Sequence, residues 1–212
     1  LNLSNPAAVR DALLEFLPVL TAQYGDVAAT LAADWYDEAR AASGASGRFR
    51  AITAPGVPTE AVEAKVRFLA GHLWTPDPAA ILGGLRVAAD KYVKQPGRDT
   101  MASNAKREGV RFARVPSGSK TCSWCLVLAS RDAVYLSKKS AGGDGHKYHG
   151  KCDCVVTRIA KASDYPEGYL PDDYYAMYQA ARKDAQSGDI KDIAASFRRI
   201  HPDSVNDGVH TH

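Results

Sequence analysis

The chain has 212 residues, 45% hydrophobic and 24% charged, with 27 Lys and Arg against 24 Asp and Glu for a net charge of +3. Such a length supports one core of moderate size or two small ones, and this balance excludes a disordered tail, a histone-like protein and an acidic activation segment. No apolar run approaches the roughly 18 residues of a membrane span, and the start lacks the order of a signal peptide, so the expectation is a soluble chain without membrane contact.

Taken in chain order, Asn5 and Pro6 form a cap and first-turn pair, followed by Val9, Leu13, Phe16, Leu17 and Leu20 at helical spacing. Pro18 is expected to bend or end that helix, and Tyr24, Ala28, Leu31, Ala32, Trp35 and Ala39 mark a second one, giving a helical hairpin. Residues 42–58 are rich in Gly, Ser and Pro and read as a flexible joint. Helical spacing resumes at Val62, Val66, Leu69 and Leu73, and again after Asp77 and Pro78 at Ile81, Leu85, Ala88 and Tyr92.

Gln95-Pro96-Gly97 reads as a break, followed by a short basic helix around Asn104–Glu108 and then by Val110, Phe112 and Val115 as a strand. Val134-Tyr135-Leu136 and Val155-Val156-Thr157 are further strand candidates, with a turn at 140–145 between them. Pro171 opens a helix through Tyr174, Tyr175, Met177, Tyr178 and Ala181, and Ile190, Ile193, Ala194 and Phe197 mark another. The fold class is therefore α+β. A helical region over 1–97 precedes a small β-containing module over 98–162 and C-terminal helices and tail over 163–212.

The four cysteines all lie between Cys122 and Cys154, too few for a disulfide scaffold but enough for one local task. Cys122 and Cys125 form C-x-x-C; Cys152 and Cys154 form C-x-C, with His149 and His146 upstream. Two ligand-bearing turns joined by an intervening segment are how small modules present four soft donors to one structural zinc. The donor set is Cys122, Cys125 and Cys154 with either Cys152 or His149. Two structural disulfides and cysteines without a joint role stay open; a thioredoxin-like pair lacks its βαβ context. The acids nearby, Asp144 and Asp153, do not stand in a hydrolytic zinc motif.

Charge is unevenly placed: residues 101–161 hold twelve Lys or Arg and four Asp or Glu, a local +8 against −5 for the remainder. Lys106, Arg107, Arg111, Arg114, Lys120, Lys138, Lys139, Lys147 and Lys151 are candidates to meet phosphates or an acidic partner. Helix-turn-helix, K-homology, RNA-recognition and P-loop signatures are absent. Ser117, Ser119, Ser123 and Ser130 precede His146 and His149, but no G-x-S-x-G elbow orders them; His201, His210 and His212 read as a solvated tail.

Arg114-Val-Pro, Thr121-Cys-Ser-Trp-Cys125, Leu128-Ala-Ser-Arg-Asp-Ala-Val-Tyr135 and His149-Gly-Lys-Cys-Asp-Cys154 resemble the head-morphogenesis domain of phage Mu protein F-like minor capsid proteins. Tyr24-Gly-Asp and Ala33-Asp-Trp-Tyr resemble the actinobacteriophage branch, whose members are often labelled capsid maturation proteases. The resemblance implies a protein inside the virion at the portal vertex, present in the host cytoplasm during assembly. It would bind portal or major capsid protein and touch packaged DNA non-specifically, acting in procapsid assembly, packaging or ejection. The alternative it implies is a maturation protease acting on scaffold or capsid subunits.

Overall fold

The structure is a computed structural model and describes residues 3–132, 148–150 and 152–207. Its elements are α1 (Pro6–Ala42), α2 (Thr59–Ala70) with a 3-10 turn at Gly71–Trp74, α3 (Ala80–Glu108), β1 (Arg111–Val115) and α4 (Ser123–Ala129). They continue with β2 (Val155–Ile159), a 3-10 turn at Ala162–Asp164, α5 (Pro171–Ala185) and α6 (Ile190–Ile200). This is an α+β fold with C-terminal helices. The strand candidate at 134–136 and the turn at 140–145 lie outside the described residues.

The chain divides into two compact units. The first comprises the described parts of Leu1–Asp37, Arg50–Thr100 and Tyr148–Gly150, and the second those of Glu38–Phe49, Met101–Lys147 and Lys151–His212. The first unit is built on Val9, Leu13 and Leu17 of α1, Val62, Val66 and Leu69 of α2, and Ile81, Leu85 and Ala88 of α3, with Leu73 between them.

Two expected breaks do not occur. α1 runs unbroken through Pro18, so the helical hairpin is one long helix. Pro18 has no N–H for the Leu14 carbonyl, but Thr21 Oγ1 donates to the carbonyls of Leu17 (2.9 Å) and Pro18 (3.1 Å). The buried row Leu13, Leu17, Thr21, Gly25, Ala29 and Ala33 continues across the proline, so packing on both sides supports the helix through it. α3 likewise continues through Pro96-Gly97, so the short basic helix expected at 104–108 is its last turns. Close approach explains the residue choice: a Cβ on Gly25 would stand 3.1 Å from Pro96 Cγ, and one on Gly97 3.0 Å from the Ala28 carbonyl.

Residues 43–58 carry no helix or strand, in keeping with their composition, and three of them bond to the helices. Ala51 N donates to Asp37 Oδ1 at 2.9 Å, Arg50 lies 3.1 Å from Asp37, and Ala54 N donates to Thr100 Oγ1 at 2.8 Å.

In the second unit β1 pairs antiparallel with β2, with Phe112 opposite Arg158, Arg114 opposite Val156 and Val115 opposite Val155. Side chains alternate across a strand, so Phe112, Arg114, Val156 and Arg158 share one face while Ala113, Val115 and Ile159 share the other. The second face joins Ala129 and Tyr169 in a core. α4 is buried along its length, with Leu126 and Val127 packed among Ala181, Ile193, Phe197 and Val205.

Arg158, 4% exposed, organises the other end of this sheet. Its guanidinium donates to both Glu108 oxygens at 2.6 Å, to Asp164 Oδ2 at 3.1 Å and to Ser43 Oγ at 3.1 Å, and Arg40 joins Glu108 at 3.2 Å. Removing one member leaves buried charge uncompensated. Arg158→Met is expected to cost about 3–5 kcal/mol in urea unfolding, whereas Arg67→Met, which breaks the exposed pair with Glu63, is expected to cost at most about 1 kcal/mol.

Candidate metal centre

The two cysteine motifs adopt the local geometries that turn both thiols of each pair the same way. Cys122 is the N-cap of α4 and Cys125 sits in its first turn, where positions three apart share a side. Cys152 and Cys154 lead into β2, and period-two alternation places them together on the face that carries Arg114. All four are free thiols and all are buried, none more than 2% exposed.

The sulfurs form a continuous group. Cys154 Sγ lies 3.2 Å from Cys125 Sγ, which lies 3.5 Å from Cys152 Sγ, which lies 3.8 Å from Cys122 Sγ. Cys125 N donates to Cys122 Sγ at 3.3 Å, closing the C-x-x-C turn on its first sulfur. Cys125, Cys152 and Cys154 lie close enough together that they could hold a metal ion. His149 is exposed and is grouped with the first unit; in sequence it stands three residues ahead of Cys152.

Arg114 completes the centre. Its side chain is fully buried, and the guanidinium donates from Nε at 3.1 Å and from Nη2 at 2.7 Å to Cys154 Sγ, with Cys125 Sγ at 3.8 Å. Sequence grouped Arg114 with surface contacts because it stands in a basic stretch; its strand register turns it inward, onto sulfur.

The mutual contacts and burial of the thiols oppose their ionisation. Cys125 is raised because the sulfurs of Cys122, Cys152 and Cys154 all bond to it, with burial adding to the effect. At Cys122 the hydrogen bond with Cys125 pulls downward, but Cys152 and burial outweigh it. At Cys154 the bond with Cys125 and the Arg114 charge pull downward, and Cys152 and burial again prevail.

Around the thiols, Asp153 serves as a clamp. Its carboxylate accepts from Gly118 N at 3.0 Å and from the Thr121 hydroxyl, and its carbonyl accepts from the Ser117 hydroxyl. A Cβ on Gly118 would fall 2.9 Å from Asp153 Oδ2 and 3.0 Å from the Lys120 carbonyl, so this turn requires glycine. The start of α4 is fixed from the tail. Ser123 N and Oγ both donate to Asp207 at 2.8 Å, and Thr121 pairs with Val205 in a parallel bridge. Neither Asp153 nor Asp207 stood out as a structural clamp in the sequence, since both partners are distant along the chain.

Of the other basic candidates, Lys106, Arg107, Arg111 and Lys120 are exposed, and Arg107 lies over the Phe49 ring at 4.9 Å. Lys138, Lys139, Lys147 and Lys151 lie outside the described residues, as do Asp144, His146, His210 and His212. Two of the serines have ordinary partners: Ser130 Oγ donates to the Val127 carbonyl, and Ser123 Oγ has Asp207 and, at 3.4 Å, Arg198. Among the described residues, no helix is long and apolar enough to cross a membrane.

Residues 1–181 match the model of the VG15 protein family. Two relatives are the Gene 15 proteins of Mycobacterium phage D29, 28% identical over a match covering 42% of this chain and 44% of that protein, and of Mycobacterium phage L5, 26% identical with the same coverage. The chain therefore spans less than half the length of the curated relatives it matches. No solved structure matches it. With some six-sevenths of its length under the family model, this chain belongs to the VG15 family of phage proteins.

Proposed function

We propose that the chain is a Mu F-like minor capsid protein that acts in phage head morphogenesis by binding, inside the head at the portal vertex. Portal or major capsid protein would be its partner, and its exposed basic side chains would meet packaged DNA. The observation that carries this reading is the closed thiol group at the C-x-x-C and H-x-x-C-x-C positions, fully buried and bonded by Arg114. A buried set of four thiols suits a structural staple better than a hydrolytic centre, which keeps a position open to water. The hydroxyl of Ser123 has a carboxylate and a guanidinium as partners rather than an imidazole, which favours binding over the protease alternative.

The staple in this proposal is one zinc held by Cys122, Cys125, Cys152 and Cys154. Zinc–sulfur bonds of ~2.3 Å put the sulfurs of a tetrahedral site ~3.8 Å apart; three of the six edges of such a site are seen here, at 3.2, 3.5 and 3.8 Å. Four thiolates around a dication carry a net negative charge, which the Arg114 guanidinium offsets in part.

Purified protein is expected to contain about one zinc per chain. Cys152→Ser should abolish it, His149→Ala should leave it, and Arg114→Met should weaken it about 10–100-fold by competition with a chromogenic chelator. Zinc retained by Cys152→Ser and lost in His149→Ala would overturn the ligand set.

Stability should respond to pH with opposite signs in the two states. Thiols whose folded pKa is raised stabilise the metal-free protein fully below the unfolded value of about 8.5, and that contribution is lost as pH rises beyond it. Zinc needs thiolates, so its contribution is lost as protons compete on acidification. Tm measured against pH should therefore fall on the alkaline side for chelator-treated protein and on the acid side for zinc-loaded protein.

In an infection, the chain should be found in purified virions and be shielded from added protease until the heads are opened. Cys122→Ser should prevent its incorporation while capsid protein processing continues. Loss of processing in variants of Ser117, Ser119, Ser123 or His149 would instead establish the protease reading.

A further inference from the structure

One side of α5 gathers aromatic rings and cations into a single groove. At about 100° per residue, Tyr175, Tyr178, Gln179, Arg182, Lys183 and Gln186 fall within an arc of about 140°, and these six line a cleft of about 510 Å³ at the end of the helix. The Tyr175 and Tyr178 rings stack, with centroids 6.3 Å apart and planes inclined by 20°. Tyr178 packs against the core that holds Ala181, Ile193 and Phe197, so the stack has a firm support, while Tyr175 stays 50% exposed. Gln186 holds the left-handed conformation (φ 49°) in which helices usually end on glycine or asparagine, and its side chain lines the cleft.

The positive charge of this groove is not neutralised from within. Arg182 and Lys183 are exposed and form no ion pair among the described residues, and no lining residue is acidic. Of the carboxylates on α5, Asp184 stands on the opposite side, where Arg199 and Ser196 engage it, and Asp173 is turned about 160° from Tyr175. Asp172 lies in the first turn, about 15 Å along the axis from Arg182. Asp189, in the loop that follows, caps α6 by accepting from Lys191 N at 2.7 Å.

A ligand for this groove is anionic and has a flat face for the ring. An acidic peptide meets the cations but leaves Tyr175 without a partner. Duplex nucleic acid also meets the cations, but its bases are stacked on one another and closed to the ring. A single strand satisfies both, since its bases stack on aromatic side chains whatever their sequence while its backbone follows the positive charge. Tyr175 and Arg182 are two turns apart, about 10.5 Å, room for about three nucleotides at stacked spacing.

We propose that this face of α5 binds single-stranded nucleic acid, with a base on Tyr175, phosphates on Arg182 and Lys183, and the amides of Gln179 and Gln186 bonding along the strand. The inference goes beyond the contact with packaged DNA proposed above and is independent of the metal centre.

The test titrates the 212-residue chain into three probes with the same fluorophore and follows anisotropy. They are an oligothymidine of about 12 nucleotides, a duplex of about 12 base pairs and a glutamate peptide of about 12 residues. The single strand is expected to bind at least about tenfold tighter than either of the others. Tyr175→Ala is expected to weaken it about tenfold, and Tyr175→Phe to retain it, because the ring and not the hydroxyl carries the stack. Arg182→Gln combined with Lys183→Gln should lower the slope of log affinity against log salt by about 1.4, two phosphates at ~0.7 each. Gln186→Gly, which frees the left-handed position of its side chain, should weaken binding severalfold without lowering Tm. Circular dichroism should be the same for all of these exposed substitutions. Failure of the single strand to bind at low salt, duplex binding of equal strength, unchanged binding by Tyr175→Ala, or an unchanged salt slope in the Arg182 and Lys183 variant would each overturn the proposal. So would tighter binding of the glutamate peptide, since the groove would then be a dock for an acidic protein.

Discussion

The second unit is organised around cations that cannot shed their charge. Arg114 and Arg158 share one face of the two-stranded sheet, and both are buried. A guanidinium stays protonated at any physiological pH, so each burial is tolerable only against a matching acceptor. Arg158 has Glu108 and Asp164, and through them gathers the ends of α1 and α3 against β2 and the 3-10 turn that follows it. Arg114 points the other way along the sheet, to Cys154 and Cys125.

That second pairing is incomplete while the sulfurs are protonated. Neutral thiols are weak acceptors, and their mutual contacts and burial hold them neutral. A dication that turns them into thiolates would convert the same N–H···S contacts into charge-assisted bonds. On the zinc reading, Arg114 and the metal stabilise each other through the sulfurs they share. The opposite face of the sheet, with Ala113, Val115 and Ile159, is an ordinary apolar core, so the two strands separate charge from hydrocarbon.

What sequence could tell depended on the range of the interaction. Helical periodicity located the three helices of the first unit's core, because Val9, Leu13, Val62, Val66, Ile81 and Leu85 are inward for local reasons. It failed at Pro18 and at Pro96-Gly97, where a local breaker rule met packing that only the folded unit supplies. The cysteine spacings were legible for the same reason as the helices: three apart at a helix start and two apart at a strand entry each put both thiols on one side. Arg114 was not legible. Its neighbours in sequence are basic, and only the register opposite Val156 shows that it shares a face with Cys154. Arg158 was hidden likewise, so part of the local +8 is spent inside the unit rather than offered to a partner.

Asp153 shows that the centre is supported by more than its sulfurs. Standing between Cys152 and Cys154, it projects opposite to both, and its carboxylate fixes Gly118 and Thr121, the residues that lead into Cys122. One three-residue segment thus offers sulfur on one side and ties down the other ligand-bearing turn from its reverse. The tail adds Asp207 at the start of α4, and α5 and α6 bury that helix's Leu126 and Val127. Minimal zinc fingers lack such support and unfold when stripped; here hydrocarbon and the Asp153 clamp also hold the two ligand-bearing turns.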